Sequence, residues 1–199
     1  MTAKLTESSR LKQARIIHNL TWEQLEEIDL CLEDVSGVKL VYLDGTLEFM
    51  TIGEEHENAK ATMRVLLEAY LRAKGIRFYS RGGPTLGRKE QGARNEPDES
   101  FSIGTRSQYP DLVFEVTVTS GGIDRLEGYR RIGVAEVWYW EDAVLTIYQL
   151  QSQGYEKVKN TELVKDFPLD LFTRYITDHD QYDAVTEFLT AIQNINAQR

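Results

Sequence analysis

The alternation of apolar and polar residues predicts a β-hairpin and, further along the chain, a buried strand. Two runs, KLVYL and TLEFM, flank Asp44-Gly45 within residues 39–50, and this dipeptide favours a two-residue turn. Residues 110–119 carry apolar side chains on both faces, as central strands do. Glu48 lies on the returning strand of the hairpin, on the face opposite its apolar neighbours. An exposed acid is the favoured interpretation there, and a ligand facing a cleft is the alternative.

Apolar residues at helical spacing predict four helices. The first begins at Thr21, where the sequence has a capping-box pattern. The second spans residues 54–73, with acids in its first turn. The third follows Gly121-Gly122 and ends at Gly133, and the clearest helical stretch after it is 183–195.

The order of these elements predicts the fold class. Around the third helix the order is strand, helix, strand, with the aromatic run 134–140 as the second strand and 144–150 paired to it. This order indicates a parallel crossover inside a mixed sheet. We therefore expect an α/β fold in a single domain, 1–199, with a hairpin near its beginning, a helix near its end, and residues 1–20 as a loose arm or docking segment. The segment RKEQGARNEPD (88–98) is predicted to be an exposed loop, because it is rich in charge.

Composition narrows the class of protein. The single cysteine, Cys31, cannot form an internal disulfide and is predicted to be a small buried residue. No apolar run approaches the roughly 20 residues that cross a bilayer, and the beginning of the chain lacks the apolar centre of a secretory signal. These features predict a cytoplasmic protein without a membrane partner.

The charge is unevenly distributed. A net charge of -9 at pH 7 opposes a broad nucleic-acid footprint. Residues 72–94, however, contain seven basic residues and one acid. A phosphate-binding patch and a solvated charged surface explain this segment equally well. The candidate substrate-binding residues within it are Arg81, Arg88, Lys89 and Arg94.

The candidate chemistry lies in two acids on neighbouring predicted strands, Asp98 and Glu115. A carboxylate in an apolar strand is costly unless it is paired or bound to a cation, and two such acids held together favour a divalent cation. Oxygen ligands with open positions suit Mg²⁺ or Mn²⁺. In the alternative, Asp98 caps a turn after Pro97 and Glu115 pairs with a buried arginine. Either acid alone fits that alternative better, whereas the pair in this order of elements favours a metal site.

Other catalytic constellations are missing from the sequence. One cysteine and three scattered histidines exclude the common zinc spacings. No nucleophile elbow, phosphate-binding loop or dinucleotide fingerprint occurs. His56 lies in the first turn of the second predicted helix, where a structural or exposed histidine is favoured over a role in the site.

Several short motifs occur in order along most of the chain. They are Pro97-Asp98, the run PDLVFEV at 110–116, Asp124-Arg125, Tyr129 and the run GVAEVW at 133–138. Each motif alone is weak, but their order is fairly specific. Together they resemble the Uma-type family of restriction endonucleases, in the PD-(D/E)XK nuclease superfamily. The resemblance implies a restriction-endonuclease-like core, with a central mixed β-sheet flanked by helices and a divalent metal at the paired acids.

The resemblance also implies roles for single residues. Asp98 matches the aspartate of the motif and Glu115 the glutamate, both as metal ligands, and Glu115 would also orient the attacking water. The superfamily lysine would fall at Thr117, so this sequence departs from the pattern. In the family the lysine often stands on the following helix instead, at the position of Arg125. An arginine stabilises negative charge but does not readily lose a proton. His56 matches a histidine of the family and would have a supporting role.

The expected function is therefore that of a Mg²⁺- or Mn²⁺-dependent endonuclease acting on DNA. Its catalytic residues would be Asp98, Glu115, Arg125 and His56. The alternative is a nucleic-acid-binding or assembly module that keeps the nuclease fold without activity; Thr117, Arg125 and the net charge of -9 favour it. The aromatic run 138–140 is predicted to alternate between the core and a dimer surface, which predicts a homodimer.

Overall fold

The chain forms two β-sheets and five α-helices within the residues that this computed structural model describes, which are 15–51, 53–117, 123–177 and 180–197. The strands in chain order are β1 (Arg15–Ile17), β2 (Val38–Leu43), β3 (Thr46–Thr51), β4 (Phe78–Ser80), β5 (Leu86–Arg88), β6 (Ala93–Asn95), β7 (Glu99–Ile103), β8 (Leu112–Thr117), β9 (Glu136–Glu141), β10 (Val144–Gln151) and β11 (Gly154–Val158). The helices are α1 (Trp22–Leu32), α2 (Glu54–Ala73), α3 (Arg125–Ile132), α4 (Leu169–Ile176) and α5 (Gln181–Ala197).

The two sheets have different strand orders. The first sheet is antiparallel in the order β1-β3-β2-β6-β5, and the second has the order β11-β10-β9-β8-β7-β4. In the second sheet β8 and β9 are parallel, joined through α3, while the other pairs are antiparallel. The predicted α/β fold class with a mixed sheet flanked by helices is confirmed. The predicted hairpin belongs to a separate sheet rather than to the mixed one.

Three apolar clusters hold these elements together. One face of the second sheet packs against α2, α4 and α5 through a cluster centred on Phe114 and Trp138. Its other face packs against α3 and β5 through Val113 and Tyr129. The outer face of the first sheet is covered by α1 through Leu25. The inner faces of both sheets, together with α3 and the start of α2, therefore enclose the space that holds the candidate site.

Local predictions are confirmed where a short stretch of sequence determines the geometry. Asp44 and Gly45 form the hairpin turn with φ of 44° and 85°. Thr21 makes both hydrogen bonds of the capping box. Gly133 ends α3 with a φ of 85°, a conformation that glycine adopts without penalty.

Residues 15–17 of the segment predicted to be a loose arm or docking segment form β1, which pairs with β3; residues 1–14 lie outside the described part of the chain. Two predictions about burial are wrong. The predicted loop 88–98 contains β6, whose three residues are all buried. Cys31 is exposed. Trp138 and Trp140 lie in the core, and Tyr139 is partly buried against the cluster on the other face of the sheet. The aromatic dimer surface and the homodimer stay predictions. None of the described helices is long and apolar enough to span a bilayer.

Candidate active site

Asp98 lies beside Glu115, directly before β7. The antiparallel pairing of β7 and β8 begins at Glu99 and Phe114, and Asp98 is in a bend just ahead of it. The Asp98 backbone N–H donates to the carbonyl of Phe114 at 3.0 Å, and its carboxylate accepts from the Val116 N–H. Asp98 is therefore bound to the backbone of β8 on both sides of Glu115. Both acids are at most 3% exposed.

Three groups stabilise the carboxylate of Asp98. The Lys39 ammonium donates to its Oδ1 atom, while His56 Nε2 lies 3.0 Å from Oδ2 and the Val116 N–H donates to Oδ2 at 2.6 Å. Burial by itself raises the pKa of Asp98, but His56 and Lys39 outweigh this effect and lower the pKa to about 2. Asp98 is therefore a buried anion held by positive charge and an N–H group.

Glu115 has a different set of partners on α3. The Arg125 guanidinium donates to its Oε2 atom at 2.7 Å, and the Tyr129 hydroxyl donates to Oε1. Burial raises the pKa of Glu115, and Arg125 offsets part of that rise. The pKa of Tyr129 is raised well above its ordinary value by burial and by the charge of Glu115. The start of α3 thus brings a cation to Glu115, and this is the pairing with a buried arginine that the sequence offered as the alternative to a metal site.

Glu48 and Met50 on β3 hold the other side of the Arg125 guanidinium. Glu48 Oε2 lies 3.7 Å from Arg125 Nη2 and accepts a hydrogen bond from the Ile123 N–H at 3.3 Å. The same Nη2 atom contacts the sulfur of Met50. Glu48 is 2% exposed, so the interpretation of an exposed strand acid is wrong. The start of α3 and the second sheet lie over that face of the hairpin, which the local sequence does not reveal.

His56 faces Asp98 from the start of α2, but its second nitrogen is not hydrogen-bonded. His56 Nδ1 lies 3.4 Å from Glu57 Oε1, yet both atoms are buried without a hydrogen bond, because the contact lacks hydrogen-bond geometry. The Nε2 contact to Asp98 is therefore the one that orients the ring.

Sequence reasoning assigned no role in the site to Lys39 and gave Glu48 a place there only as the less favoured alternative. Both project from the inner face of the hairpin, and their alternation with apolar residues was the available signal. Thr117, where the superfamily lysine is expected, ends β8, and its side chain is outside the described part of the chain. Lys39 reaches the acid pair from the first sheet instead.

The four predicted substrate-binding residues do not form one surface. Arg94 is 7% exposed and pairs with Asp29 and Glu96, each at 2.7 Å. Its charge is therefore used inside the protein, and a phosphate-binding role for Arg94 is wrong. Lys89 is exposed and pairs with Glu23.

The remaining two arginines are accessible. Arg88 donates to the Tyr109 hydroxyl at 2.7 Å. Arg81 donates to the carbonyls of Ser107 and Gln108 at 3.1 and 2.9 Å. Arg81 alone among the four lines a large groove, which is described below.

The acid pair fits a divalent metal in the chemistry of its donors. Mg²⁺ is usually bound through one or two carboxylates, with waters and substrate phosphates completing the shell, and Asp98 and Glu115 supply two carboxylates. No cluster of three or more His, Cys, Asp or Glu side chains arranged for a metal occurs among the described residues. Lys39 and Arg125 occupy carboxylate oxygens that an ion would need, so a metal would replace some of these contacts.

Comparisons with known proteins agree with the motif order. The model of the Uma2 family, described as "Putative restriction endonuclease", matches residues 22–176, which run from the first residue of α1 to the last residue of α4. A solved structure described as "a putative nuclease belonging to DUF820" from Anabaena variabilis matches with 13% sequence identity and a TM-score of 0.42, over 75% of this chain and 90% of that chain. No curated protein matches the chain. Because the family model covers most of the sequence, including both acids, the chain belongs to the Uma2 family.

Proposed function

We propose that the chain is a nuclease that hydrolyses phosphodiester bonds of DNA at the Asp98–Glu115 pair, with Mg²⁺ or Mn²⁺ as its cofactor. The observation that carries this proposal is the placement of two buried carboxylates side by side, with Asp98 hydrogen-bonded to the backbone of β8 on both sides of Glu115. Membership of a family described as restriction endonucleases supports the nuclease activity.

Asp98 and Glu115 would hold the ion. When bound, the metal would supply a nucleophilic water and neutralise negative charge on the phosphoryl group. The protein's part is to hold both carboxylates in place. Tyr129 fixes Glu115, and His56 and the Val116 N–H fix Asp98.

Lys39 is the better placed of the two cations to contact a phosphate. Both terminal nitrogens of Arg125 already have partners: Nη1 contacts Glu115, and Nη2 contacts Glu48 and Met50. Lys39 has three ammonium donors, and within the described residues its one partner is Asp98. We therefore assign phosphate contact to Lys39, in place of the lysine expected at Thr117. Arg125 orients Glu115 and offsets part of the rise in its pKa that burial causes.

The proposal is tested by DNA cleavage with matched variants. Plasmid and single-stranded DNA are incubated with wild type, Asp98→Asn, Glu115→Gln and Lys39→Met, each with Mg²⁺, with Mn²⁺ or with a chelator. We expect each variant to lose roughly 100-fold or more in rate, as when a group that acts on the transition state is removed. Glu156→Gln is the control, because Glu156 is exposed on β11 and undergoes the same change.

Equal rates in wild type and the three site variants would contradict the proposal. Calorimetry with Mn²⁺ separates metal binding from cleavage. Wild type is expected to bind the ion and Glu115→Gln to bind it more weakly; no heat with wild type would contradict the cofactor assignment.

A second candidate function is binding of nucleic acid without cleavage. One observation favours it: all four carboxylate oxygens of Asp98 and Glu115 already have partners in the protein. This candidate predicts DNA binding without cleavage under any of the metal conditions, and cleavage that depends on Glu115 would exclude it.

A further inference from the structure

A basic groove lies along the edge of the second sheet. It has a volume of about 980 Å³ and runs between α2 and the edge strand β4. Five arginines and one acid line it: Arg64, Arg72, Arg77, Arg81, Arg106 and Glu68. On a chain with a net charge of -9, such a concentration of arginine requires a reason of its own.

Most of this positive charge is not neutralised. Arg64 pairs with Glu68 at 3.0 Å, and this contact uses the one acid that lines the groove. Arg77 and Arg106 are exposed, and among the described residues no side chain pairs with either of them. Exposed guanidinium groups without acid partners attract polyanions.

Two other arginines are held in place by uncharged groups. The Arg72 guanidinium lies over the Phe78 ring, 5.3 Å from its centre. Arg81 donates to two backbone carbonyls, those of Ser107 and Gln108. Such contacts fix a guanidinium without cancelling its charge, so less side-chain entropy is lost when a phosphate binds.

The groove also reaches the strand that follows Asp98. The Arg81 N–H donates to the Ser100 carbonyl at 2.9 Å, and Arg81 Nη1 lies 3.5 Å from Ser102 Oγ. Ser100 pairs with Val113, two residues before Glu115, so the side chains of Ser100 and Ser102 lie on the face of the sheet that carries Glu115. At about 3.3 Å per residue, Ser102 is roughly 13 Å from Asp98 along the strand. On the opposite face, Arg64 contacts Glu99 at 3.4 Å.

We propose that this groove binds the phosphate backbone of the nucleic acid and leads it towards the acid pair. The proposal rests on the proposed function for its substrate class. It assigns backbone binding to the α2–β4 edge rather than to residues 88–94, where Arg94 is internal and Lys89 is paired. Arginines and a half-buried aromatic ring in one groove suit a flexible single strand in particular.

The test measures DNA binding apart from cleavage. Fluorescence anisotropy of a labelled single-stranded oligonucleotide is followed in a chelator, over a series of salt concentrations. The groove variant is Arg77→Gln/Arg106→Gln, which removes two exposed charges without breaking a described contact. The control is Lys157→Gln/Lys159→Gln, which removes two exposed charges at the opposite edge of the same sheet.

We expect the groove variant to bind about tenfold more weakly at low salt. The negative slope of log K against log salt should become shallower by about 1.4, because each of the two lost phosphate contacts contributes about 0.7 in a single strand. The control should bind as wild type does. Equal weakening in both variants would show that only net charge matters, and wild-type binding by the groove variant would exclude the groove; either result overturns the proposal.

Two outcomes distinguish this proposal from the proposed function. If wild type cleaves DNA and the groove variant binds and cleaves equally well, the groove is wrong and the nuclease activity stands. If the groove variant loses binding while wild type never cleaves, the groove stands and the nuclease activity is wrong. An Arg88→Gln/Lys89→Gln variant that alone loses binding would return the binding role to that segment and overturn the groove.

Discussion

Arg125 connects the acid pair to the first sheet. Its guanidinium contacts Glu115 on β8 and both Glu48 and Met50 on β3, and its side chain is 12% exposed. The planar fork reaches two groups at once, whereas the ammonium of a lysine is a single point charge. An arginine here therefore has a structural reason apart from catalysis.

Removing this charge is expected to destabilise the fold. Arg125→Met leaves Glu115 buried without a cation, which costs about 3–5 kcal/mol of the free energy of unfolding. Adding Glu115→Gln should recover part of the loss, because the uncompensated charge is then absent. Urea unfolding of the two single variants and the double variant measures this coupling.

The matched control is the pair Glu127 and Arg130 on the surface of the same helix. Their side chains lie 2.6 Å apart and Arg130 is 47% exposed, so Arg130→Met is expected to cost at most about 1 kcal/mol. If Arg125→Met is as mild as Arg130→Met, the charge of Glu115 does not need Arg125.

At the residue scale, the sequence indicates the acids better than their partners. Asp98 and Glu115 are polar residues in apolar strands, which is a local signal. Lys39 and Glu48 belong to a hairpin whose two sides look alike in sequence, although one packs on α1 and the other faces the site. The distinction depends on the packing of one sheet over the other, between residues up to about 75 positions apart in the chain.

At the element scale, α3 approaches β6 closely, and Gly128 makes this approach possible. A Cβ atom at Gly128 would lie 2.3 Å from Asn95 Nδ2. Asn95 is 1% exposed, so its side chain has little room to move away. Because α3 carries Arg125 and Tyr129, its distance from the first sheet also positions the partners of Glu115.

Gly128→Ala is therefore expected to destabilise the protein by about 1–3 kcal/mol through overpacking. Inside a helix, alanine by itself would raise the free energy of unfolding by about 1 kcal/mol over glycine, and the overpacking outweighs this gain. Denaturant unfolding measures the net effect. The double variant Gly128→Ala/Asn95→Ala relieves the clash and should be more stable than Gly128→Ala alone. A Gly128→Ala variant as stable as wild type would exclude the close approach.

Elements defined by short-range signals are those that the sequence predicts well. The turn at Asp44-Gly45 and the α3 end at Gly133 depend on adjacent residues alone. By contrast, β6 is buried although it contains a charged residue, because Arg94 forms ion pairs with Asp29 and Glu96. Glu96 is two residues from Arg94, but Asp29 is 65 positions away in the chain, so no window of local sequence contains both partners that compensate for the burial of Arg94.

At the scale of the whole molecule, buried charges join the two sheets. The acids Glu48, Asp98 and Glu115 face the bases Lys39 and Arg125, and every one of these side chains is at most 12% exposed. The first sheet supplies Lys39 and Glu48, the second sheet supplies Glu115 with Asp98 directly before its strand β7, and α3 supplies Arg125. Stability should therefore respond to pH through this network.

The two central acids act in opposite directions on stability. The pKa of Asp98 is lowered from 3.8 to about 2, so its contribution, of order 2 kcal/mol, is present above pH 3.8 and is lost as the pH falls towards 2. The pKa of Glu115 is raised above 4.5 by burial. The folded state then binds the proton of Glu115 more tightly than the unfolded state, and the free energy of unfolding decreases as the pH rises from 4.5 through the raised pKa.

Replacing Glu115 should therefore change the slope of stability against pH above 4.5. In Glu115→Gln the titrating group is absent, so the free energy of unfolding loses the decrease that Glu115 causes there, even if the variant is less stable overall because Arg125 is left unpaired. Urea unfolding at a series of pH values measures both curves, with Glu156→Gln as the control on an exposed acid. A Glu115→Gln curve parallel to that of wild type above pH 4.5 would show that the partners of Glu115 cancel its burial, and the slope would then have to come from other groups.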